Sequence, residues 1–157
     1  MTSPKWRTGK TVSENAREKL PELAGLFFSA GRQAARPLTT YTGMHRFRLH
    51  TKRFRYTLEL FRDYYGPGLE SRIESLRDLQ QLLGAINDCS ATQDLLVKRK
   101  DLSASGLITL RRKLERMARA RVAAFRRRWS MDFSAAEIEC SWSGYLAKPK
   151  PVARKPA

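Results

Sequence analysis

The chain has 157 residues, 41% of them apolar, and a formal net charge of +16 with a sequence pI of about 10.6. The length suits one domain with a hydrophobic core, and the lack of any apolar run near roughly 18 residues excludes a membrane span. The N-terminus has no apolar segment of the secretory type, so a cytoplasmic location is expected, and the charge favours nucleic acid or another polyanion, an anionic lipid surface or an acidic protein as partner.

Hydrophobic periodicity predicts an all-α fold, a helical bundle of about four to five helices. No run of alternating residues bounded by hairpin signals predicts a strand. The first helix is expected over residues 13–36. Pro21 is predicted to kink or restart it, and Pro37 to end it.

The second helix is expected over residues 43–65, where the Gly-Pro-Gly breaker at residues 66–68 closes it. Thr42 is predicted to cap this helix. His45 then falls in the first turn, where free N–H groups and the helix dipole favour an anion.

Two capping boxes led by serine predict where the next helices begin. Ser71 with Glu74 opens a third helix, and Ser90 with Gln93 opens a short fourth helix that ends near residue 100. The third helix has its apolar residues on one side: Leu76, Leu79, Leu83 and Ile86. A long fifth helix over residues 104–129 carries an apolar stripe of Leu107, Leu110, Leu114, Met117, Phe125 and Trp129.

The predicted helices define a single unit with two extensions. Residues 1–11 form an N-terminal extension, residues 12–130 the helical unit, and residues 131–157 a C-terminal extension. From Lys148 the chain is rich in Pro and Lys, which predicts a flexible, disordered basic tail.

No residue pattern suggests catalysis or metal binding. Cys89 and Cys140 lack metal or redox spacing, and His45 and His50 lie about 140° apart on a helix, too far to chelate one metal. No carboxylate pair or His/Cys constellation suggests hydrolysis. We therefore expect no catalytic residue, no metal and no cofactor, and a protein that is not an enzyme.

The stretch HRFRLHTKRFRYTLE, residues 45–59, holds five Lys/Arg and two His, and its single acid is its last residue. At about 100° per residue, one stripe roughly 21 Å long carries His45, Arg48, Lys52, Arg55 and Glu59. The opposite side is predicted to anchor the helix in the core through Phe47, Phe54, Leu58 and Phe61. A smaller apolar strip separates the stripe from Arg46 and Arg53, and it consists of Leu49, Tyr56 and Leu60.

We interpret this basic stripe as a linear anion site. Arg48 and Arg55 each offer two donors to a phosphate, and Lys52 adds a point charge. Glu59 is expected to pair with Arg55 or Arg62 and to orient it. The alternative is a solvated basic face, but residues 23–58 contain seven Lys/Arg and no acid to pair with them.

The predicted fifth helix is basic as well. Residues 98–128 hold twelve Lys/Arg against two acids. Arg112, Arg116, Arg119 and Arg126 share a face away from the apolar stripe, whereas Arg121 points along that stripe toward the bundle. These arginines are expected to support the anion site by extending its positive field.

Two blocks of the chain resemble the CHAD family, the conserved-histidine α-helical domains. The first block consists of His45, Arg48, Lys52, Arg53, Arg55, Tyr56 and Glu59, and the second is LQQLLGAINDCSATQDLL at residues 79–96. The resemblance covers about residues 12–129 and implies a helical bundle that binds inorganic polyphosphate. It places His45, Arg48, Lys52, Arg53 and Arg55 on the phosphates, Tyr56 and Glu59 in support, and Leu83, Gly84 and Asp88 in structural roles.

Members of this family usually carry two copies of the helical unit around a shared groove, whereas this chain has one copy, similar to the C-terminal unit. Either a homodimer rebuilds the groove, with the strip of Leu49, Tyr56 and Leu60 as a two-fold contact, or the chain is a minimal form with a shallower site. The resemblance also implies recruitment to polyphosphate, or coating of polyphosphate granules in the cytoplasm.

Two other functions compete with polyphosphate binding. Nucleic acid would use the same arginines, but no helix-turn-helix punctuation or aromatic stacking platform accompanies them. A histidine phosphotransfer domain would have a Lys and a Gly three and four residues after its histidine. Arg48 and Leu49 stand there after His45.

Overall fold

The structure, a computed structural model, describes residues 5–97 and 103–150. These residues form five α-helices, and no strand occurs among them. The elements are α1 (Val12–Ala34), α2 (Tyr41–Leu60), a 3-10 turn (Arg62–Tyr64), α3 (Gly68–Val97), α4 (Ala104–Asp132) and α5 (Ala136–Leu146). The predicted all-α bundle is confirmed. None of the helices in the described ranges has an apolar segment that could span a bilayer.

Helix α1 continues without interruption through Pro21. It begins in a capping box, in which the Thr11 hydroxyl accepts the N–H of Glu14 and the Glu14 carboxylate accepts the N–H of Thr11 at 2.8 Å. Leu20 and Ala24, on either side of the proline, are fully buried. The predicted restart at Pro21 is wrong, because packing of one continuous face outweighs the hydrogen bond that proline removes.

Helix α2 begins at Tyr41 because Thr40 caps it. The Thr40 hydroxyl accepts the N–H of Gly43 at 3.2 Å. The predicted cap at Thr42 is therefore wrong. His45 lies beyond the first turn, so its backbone N–H is not one of those that lack a partner at the start of the helix. The helix ends before the 3-10 turn, short of the predicted boundary.

Helix α3 is one helix of 30 residues where the sequence pattern predicts two. The predicted caps Ser71 and Ser90 both lie inside it, so the two capping boxes are wrong. Ile86, Cys89 and Leu96 carry the buried apolar row past Ser90, and packing on α4 therefore keeps the helix intact there. The predicted end near residue 100 lies outside the described residues. The apolar row itself is confirmed, with burial of Leu76, Leu79, Leu83 and Ile86.

The core has an aromatic part and an aliphatic part. Phe27 of α1 lies at the centre of the aromatic part. Its ring centroid lies between 5.3 and 6.2 Å from those of Phe28, Phe47, Phe54, Trp129, Phe133 and Trp142. Helix α3 supplies most of the aliphatic part through Leu69, Ile73, Leu76, Leu79 and Leu83. Gly31 allows Trp129 to pack closely on α1, since a Cβ at Gly31 would lie 2.6 Å from the ring carbon Cζ2.

Helix α4 packs mainly on α3 and is only partly buried. Leu114, Phe125 and Trp129 of its predicted apolar stripe are buried. Leu110 and Met117 are exposed, so their predicted burial is wrong. The reason is that the first half of α4 has α3 as its main neighbour, and most of its side chains therefore face solvent.

Helix α5 lies in the predicted C-terminal extension and was not expected from the sequence. Trp142 and Leu146, one turn apart, are buried, and the helix packs on α1. After α5 the chain continues along the bundle, where the N–H of Lys150 donates to the Tyr64 carbonyl at 2.7 Å. The rest of the predicted tail, residues 151–157, lies outside the described residues.

Candidate anion-binding groove

The basic stripe of α2 lies along α3 and forms one wall of a groove between the two helices. His45 Nδ1 lies 2.6 Å from Asn87 Oδ1, and Arg55 Nε donates to Gln80 Oε1 at 3.0 Å. These contacts are about 15 Å apart along α2. Because their partners on α3 are neutral amides, α3 adds polar groups without negative charge. We define the α2–α3 groove by His45, Arg48, Lys52 and Arg55 of α2 and Gln80, Gly84 and Asn87 of α3.

Arg48 occupies the middle of the α2–α3 groove. Its side chain lies over Gly84, where a Cβ would be 3.7 Å from Arg48 Nε. That Nε is buried and has no hydrogen-bond partner in the described part of the chain. A buried N–H without an acceptor costs about 1–3 kcal/mol. Arg48 therefore has a donor that no acceptor in the described part of the chain satisfies.

One cation of the stripe is neutralised by the chain itself. Arg55 pairs with Glu59 at 2.5 Å, as their i,i+4 spacing predicts, and the two side chains are 12% and 25% exposed. Among the described residues, no carboxylate lies within 4.0 Å of His45, Arg48 or Lys52. The groove therefore keeps positive charge that the surrounding side chains do not balance.

Tyr56 supports two of the groove cations. The guanidinium carbon of Arg55 lies 4.3 Å from the centroid of the Tyr56 ring, and Lys52 Nζ lies 5.6 Å from it. Both distances are within the range of cation–π attraction. The ring therefore holds these cations beside each other on α2.

The core fixes the direction in which the stripe faces. Phe47, Phe54 and Leu58 are buried behind it, as the periodicity predicts. Thr51 is also fully buried, and its hydroxyl donates to the Phe47 carbonyl at 3.0 Å. Because α2 packs on both α1 and α3, rotation of the stripe away from α3 would expose this apolar face.

Arg53 lies outside the α2–α3 groove. It is exposed near His50, and burial of the His50 ring together with the charge of Arg53 lowers the pKa of His50. The His50 side chain is only half-buried. The strip predicted for a two-fold contact, Leu49, Tyr56 and Leu60, is exposed on the single chain. A homodimer that uses this strip stays a prediction.

The predicted supporting arginines of α4 are also outside the groove. Arg112, Arg116 and Arg119 are exposed, and within residues 5–97 and 103–150 none of them bonds to a groove residue. Arg119 lies 3.8 Å from the carboxylate of Glu115. Any effect of these arginines on the groove acts through the long-range field, which salt screens.

Two other arginines of α4 bond to main-chain carbonyls of neighbouring segments. Arg121 Nη1 donates to the Ala85 carbonyl on α3 at 2.6 Å, so its predicted inward direction is confirmed. Arg126 Nη2 donates to the carbonyls of Arg36 and Pro37 at 2.9 and 2.8 Å. Arg126 therefore holds the chain just after α1 and does not share the exposed face predicted for it.

The α3 wall was not predicted as part of the site. Gln80, Gly84 and Asn87 follow an i, i+4, i+7 spacing, which places them on one side of α3 beside the buried leucines. This spacing was the available signal. Of the other residues given structural roles, Leu83 is buried, whereas Asp88 is exposed.

The groove offers hydrogen-bond donors and positive charge to an extended anion. Within the described residues, the carboxylate that pairs with a groove cation is Glu59, which binds Arg55. Over the described ranges, no cluster of three or more His, Cys, Asp or Glu side chains is arranged to hold a metal ion. The geometry therefore suits binding of phosphates by arginine, lysine and histidine.

A comparison with protein-family models matches residues 4–97 to the CHAD domain. The match covers α1, α2 and α3, and so it includes both walls of the α2–α3 groove. No significant match to a curated protein or to a solved structure was found. The CHAD domain is associated with polyphosphate binding. Because the match covers more than half of the 157 residues, the chain belongs to the CHAD domain family.

Proposed function

We propose that the protein binds inorganic polyphosphate in the α2–α3 groove and does not turn it over chemically. A polyphosphate chain lies along the row of His45, Arg48, Lys52 and Arg55. Arg48 and Arg55 bind phosphate oxygens with two donors each, and Lys52 contributes a compact charge. Arg53 contributes through its field from another face of α2.

The unbalanced charge of the groove carries this proposal. Arg48 and Lys52 have no carboxylate partner in the described part of the chain, and the buried Arg48 Nε has no acceptor there. In a solvated basic face, the cations would extend separately into water. Here His45 and Arg55 are held by amides of α3, and such preorganisation lowers the entropic cost of binding.

Binding without turnover agrees with the state of Glu59. Its carboxylate pairs with Arg55 and thereby orients a cation, so it is not positioned to act as a base toward a phosphate. The role that follows is recruitment of the protein to polyphosphate, or coating of polyphosphate granules in the cytoplasm.

A polyphosphate titration at several salt concentrations tests the groove. The triple variant Arg48→Gln, Lys52→Gln, Arg55→Gln is expected to lose more than about tenfold in affinity, because each contact to a charged group contributes on the order of 1 kcal/mol at a partly exposed site. Its affinity should also depend less on salt. Circular dichroism should show unchanged helix content.

A matched variant on α4 provides the control. Arg112→Gln, Arg116→Gln, Arg119→Gln removes the same charge from an exposed surface outside the groove. At about 0.15 M salt, charges more than roughly 8 Å away are largely screened, so the loss should be much smaller. Equal losses in the two variants would mean diffuse attraction to the whole basic surface and would contradict a defined groove.

Competition separates polyphosphate from nucleic acid. The Tyr56 ring is already covered by the Arg55 cation, which disfavours base stacking there. Polyphosphate should displace duplex and single-stranded DNA at matched phosphate concentration, and DNA should not displace polyphosphate. The stoichiometry of the complex also reports whether two chains share one polyphosphate.

A further inference from the structure

A second cleft lies between α1 and α2, on another side of α2 from the α2–α3 groove. Its volume is approximately 660 Å³. Small residues leave this space: Ala30 and Ala34 on α1 and Gly43 on α2. The buried Phe47 lines the cleft as well. The volume lies within the range of about 300–1,000 Å³ typical of small-molecule sites and exceeds the need of a single inorganic phosphate.

The cleft combines apolar walls with groups that bind anions. Arg46 and His50 of α2 line it together with Ser29 and Gln33 of α1. In the part of the chain that the structure describes, the side chains of Arg46 and His50 make no hydrogen bond and no ion pair, and no Asp or Glu lines the cleft. The cleft therefore has donors that face no negative group of the protein.

The surroundings of His50 in the cleft change the pKa of its imidazole. Burial of its ring and the nearby charge of Arg53 both lower its pKa. The neutral imidazole still donates one hydrogen bond, and a bound anion would favour the charged form with two donors. Arg46 and Arg48 point about 160° apart around α2. Arg46 therefore belongs to the cleft, and Arg48 belongs to the α2–α3 groove.

We infer that the cleft between α1 and α2 binds an organic phosphate monoester with an apolar body. The donors of Ser29, Gln33, Arg46 and His50 suit the three terminal oxygens of a phosphate monoester better than the two of a carboxylate. Leu26, Ala30 and Leu38 contact the apolar body. A polyphosphate chain has no apolar part to bury, so it does not use these walls, and the inference stands independently of the proposed function.

The probe for this site is 1-naphthyl phosphate, followed by amide chemical shifts of the full-length protein. Saturable shifts are expected at the cleft amides, among them Ser29, Gln33, Gly43 and His50. Inorganic phosphate, which lacks the apolar body, and 1-naphthol, which lacks the anionic head, should each bind at least about tenfold more weakly.

Two variants and one control locate the site. Arg46 is exposed, so Arg46→Gln should leave the fold intact. It should weaken the binding of 1-naphthyl phosphate at least about tenfold. Ala30→Leu fills the cleft and should abolish the shifts. Arg48→Gln, which is in the α2–α3 groove, should leave 1-naphthyl phosphate binding unchanged and should weaken polyphosphate.

Three results would overturn the inference. The first is the absence of saturable shifts up to about 10 mM probe. The second is an equal response to inorganic phosphate, which would mean charge attraction alone. The third is a loss of binding in Arg48→Gln with no loss in Arg46→Gln, which would place the probe in the α2–α3 groove. Because polyphosphate binding is measured on the same variants, failure here is distinguishable from failure of the proposed function.

Discussion

Replacement of Gly31 by alanine is expected to destabilise the protein, although alanine is the better helix former. A Cβ at Gly31 would lie 2.6 Å from Trp129 Cζ2 and closer still to Cη2 and Cζ3. Carbon atoms pack at about 3.5–4.0 Å, so the indole ring would have to retreat by about 1 Å or more. It has no room to do so, because Trp129 is buried with its ring centroid 5.3 Å from Phe133 and 5.5 Å from Phe47.

The expected magnitude follows from two opposing effects. Overpacking a core costs about 1–3 kcal/mol, and expulsion of a buried tryptophan costs about 3–5 kcal/mol. The higher helix propensity of alanine offsets about 1 kcal/mol of this cost. Because the ring has no room to retreat, the larger cost applies, and the free energy of unfolding should fall by about 2–4 kcal/mol. The same replacement at Gly25, also in α1, meets no atom within 4 Å and should raise the free energy of unfolding by about 0.5–1 kcal/mol.

Urea unfolding followed by circular dichroism measures both variants. The two midpoints should move in opposite directions from that of the parent protein. Trp129→Phe removes the ring atoms that collide, so adding it to Gly31→Ala should cost less than the sum of the two single changes. If Gly31→Ala and Gly25→Ala change stability in the same direction, the close approach of Trp129 to α1 is refuted.

Three further predictions concern single side chains. Tyr65→Phe should lower the free energy of unfolding by about 1–2 kcal/mol in urea titrations, because the buried hydroxyl donates to a main-chain carbonyl of α5 at 2.6 Å; an unchanged midpoint would contradict this. Burial and Arg53 lower the pKa of His50, so the unfolded chain binds its proton more readily and stability falls as pH drops below about 6.5. His50→Gln should flatten this dependence, and an identical pH profile would argue against it. In polyphosphate titrations, Gly84→Ala should change affinity little because its Cβ meets Arg48 at an ordinary distance, whereas Gly84→Leu should fill the groove and weaken binding at least about tenfold.

The α2 wall of the candidate site was predictable because helical periodicity alone assigns its faces. Phe47 and Phe54 on one side and Arg48 and Lys52 on another follow from about 100° per residue. The α3 wall was not predictable in the same way. The spacing groups Gln80, Gly84 and Asn87 on one side of α3, but which side of α3 meets the stripe depends on how the two helices pack.

The helix boundaries show the same division between local and long-range causes. Ser90 with Gln93 has the chemistry of a capping box, yet burial of Cys89 and Leu96 keeps α3 helical through it. Helix α5 lacks a strong local pattern and has no side-chain cap. It forms because Trp142 packs on the ring of Phe27, a contact between residues more than a hundred positions apart.

The division of the core into an aromatic and an aliphatic part affects how core substitutions would change the α2–α3 groove. The α2–α3 groove runs along the seam where rings behind α2 meet branched side chains behind α3. A change in volume at Phe54 or Leu83 would shift one wall against the other and alter the spacing of the cations without replacing any of them. Tuning of the preferred anion is therefore to be sought in these interior positions as much as on the charged surface.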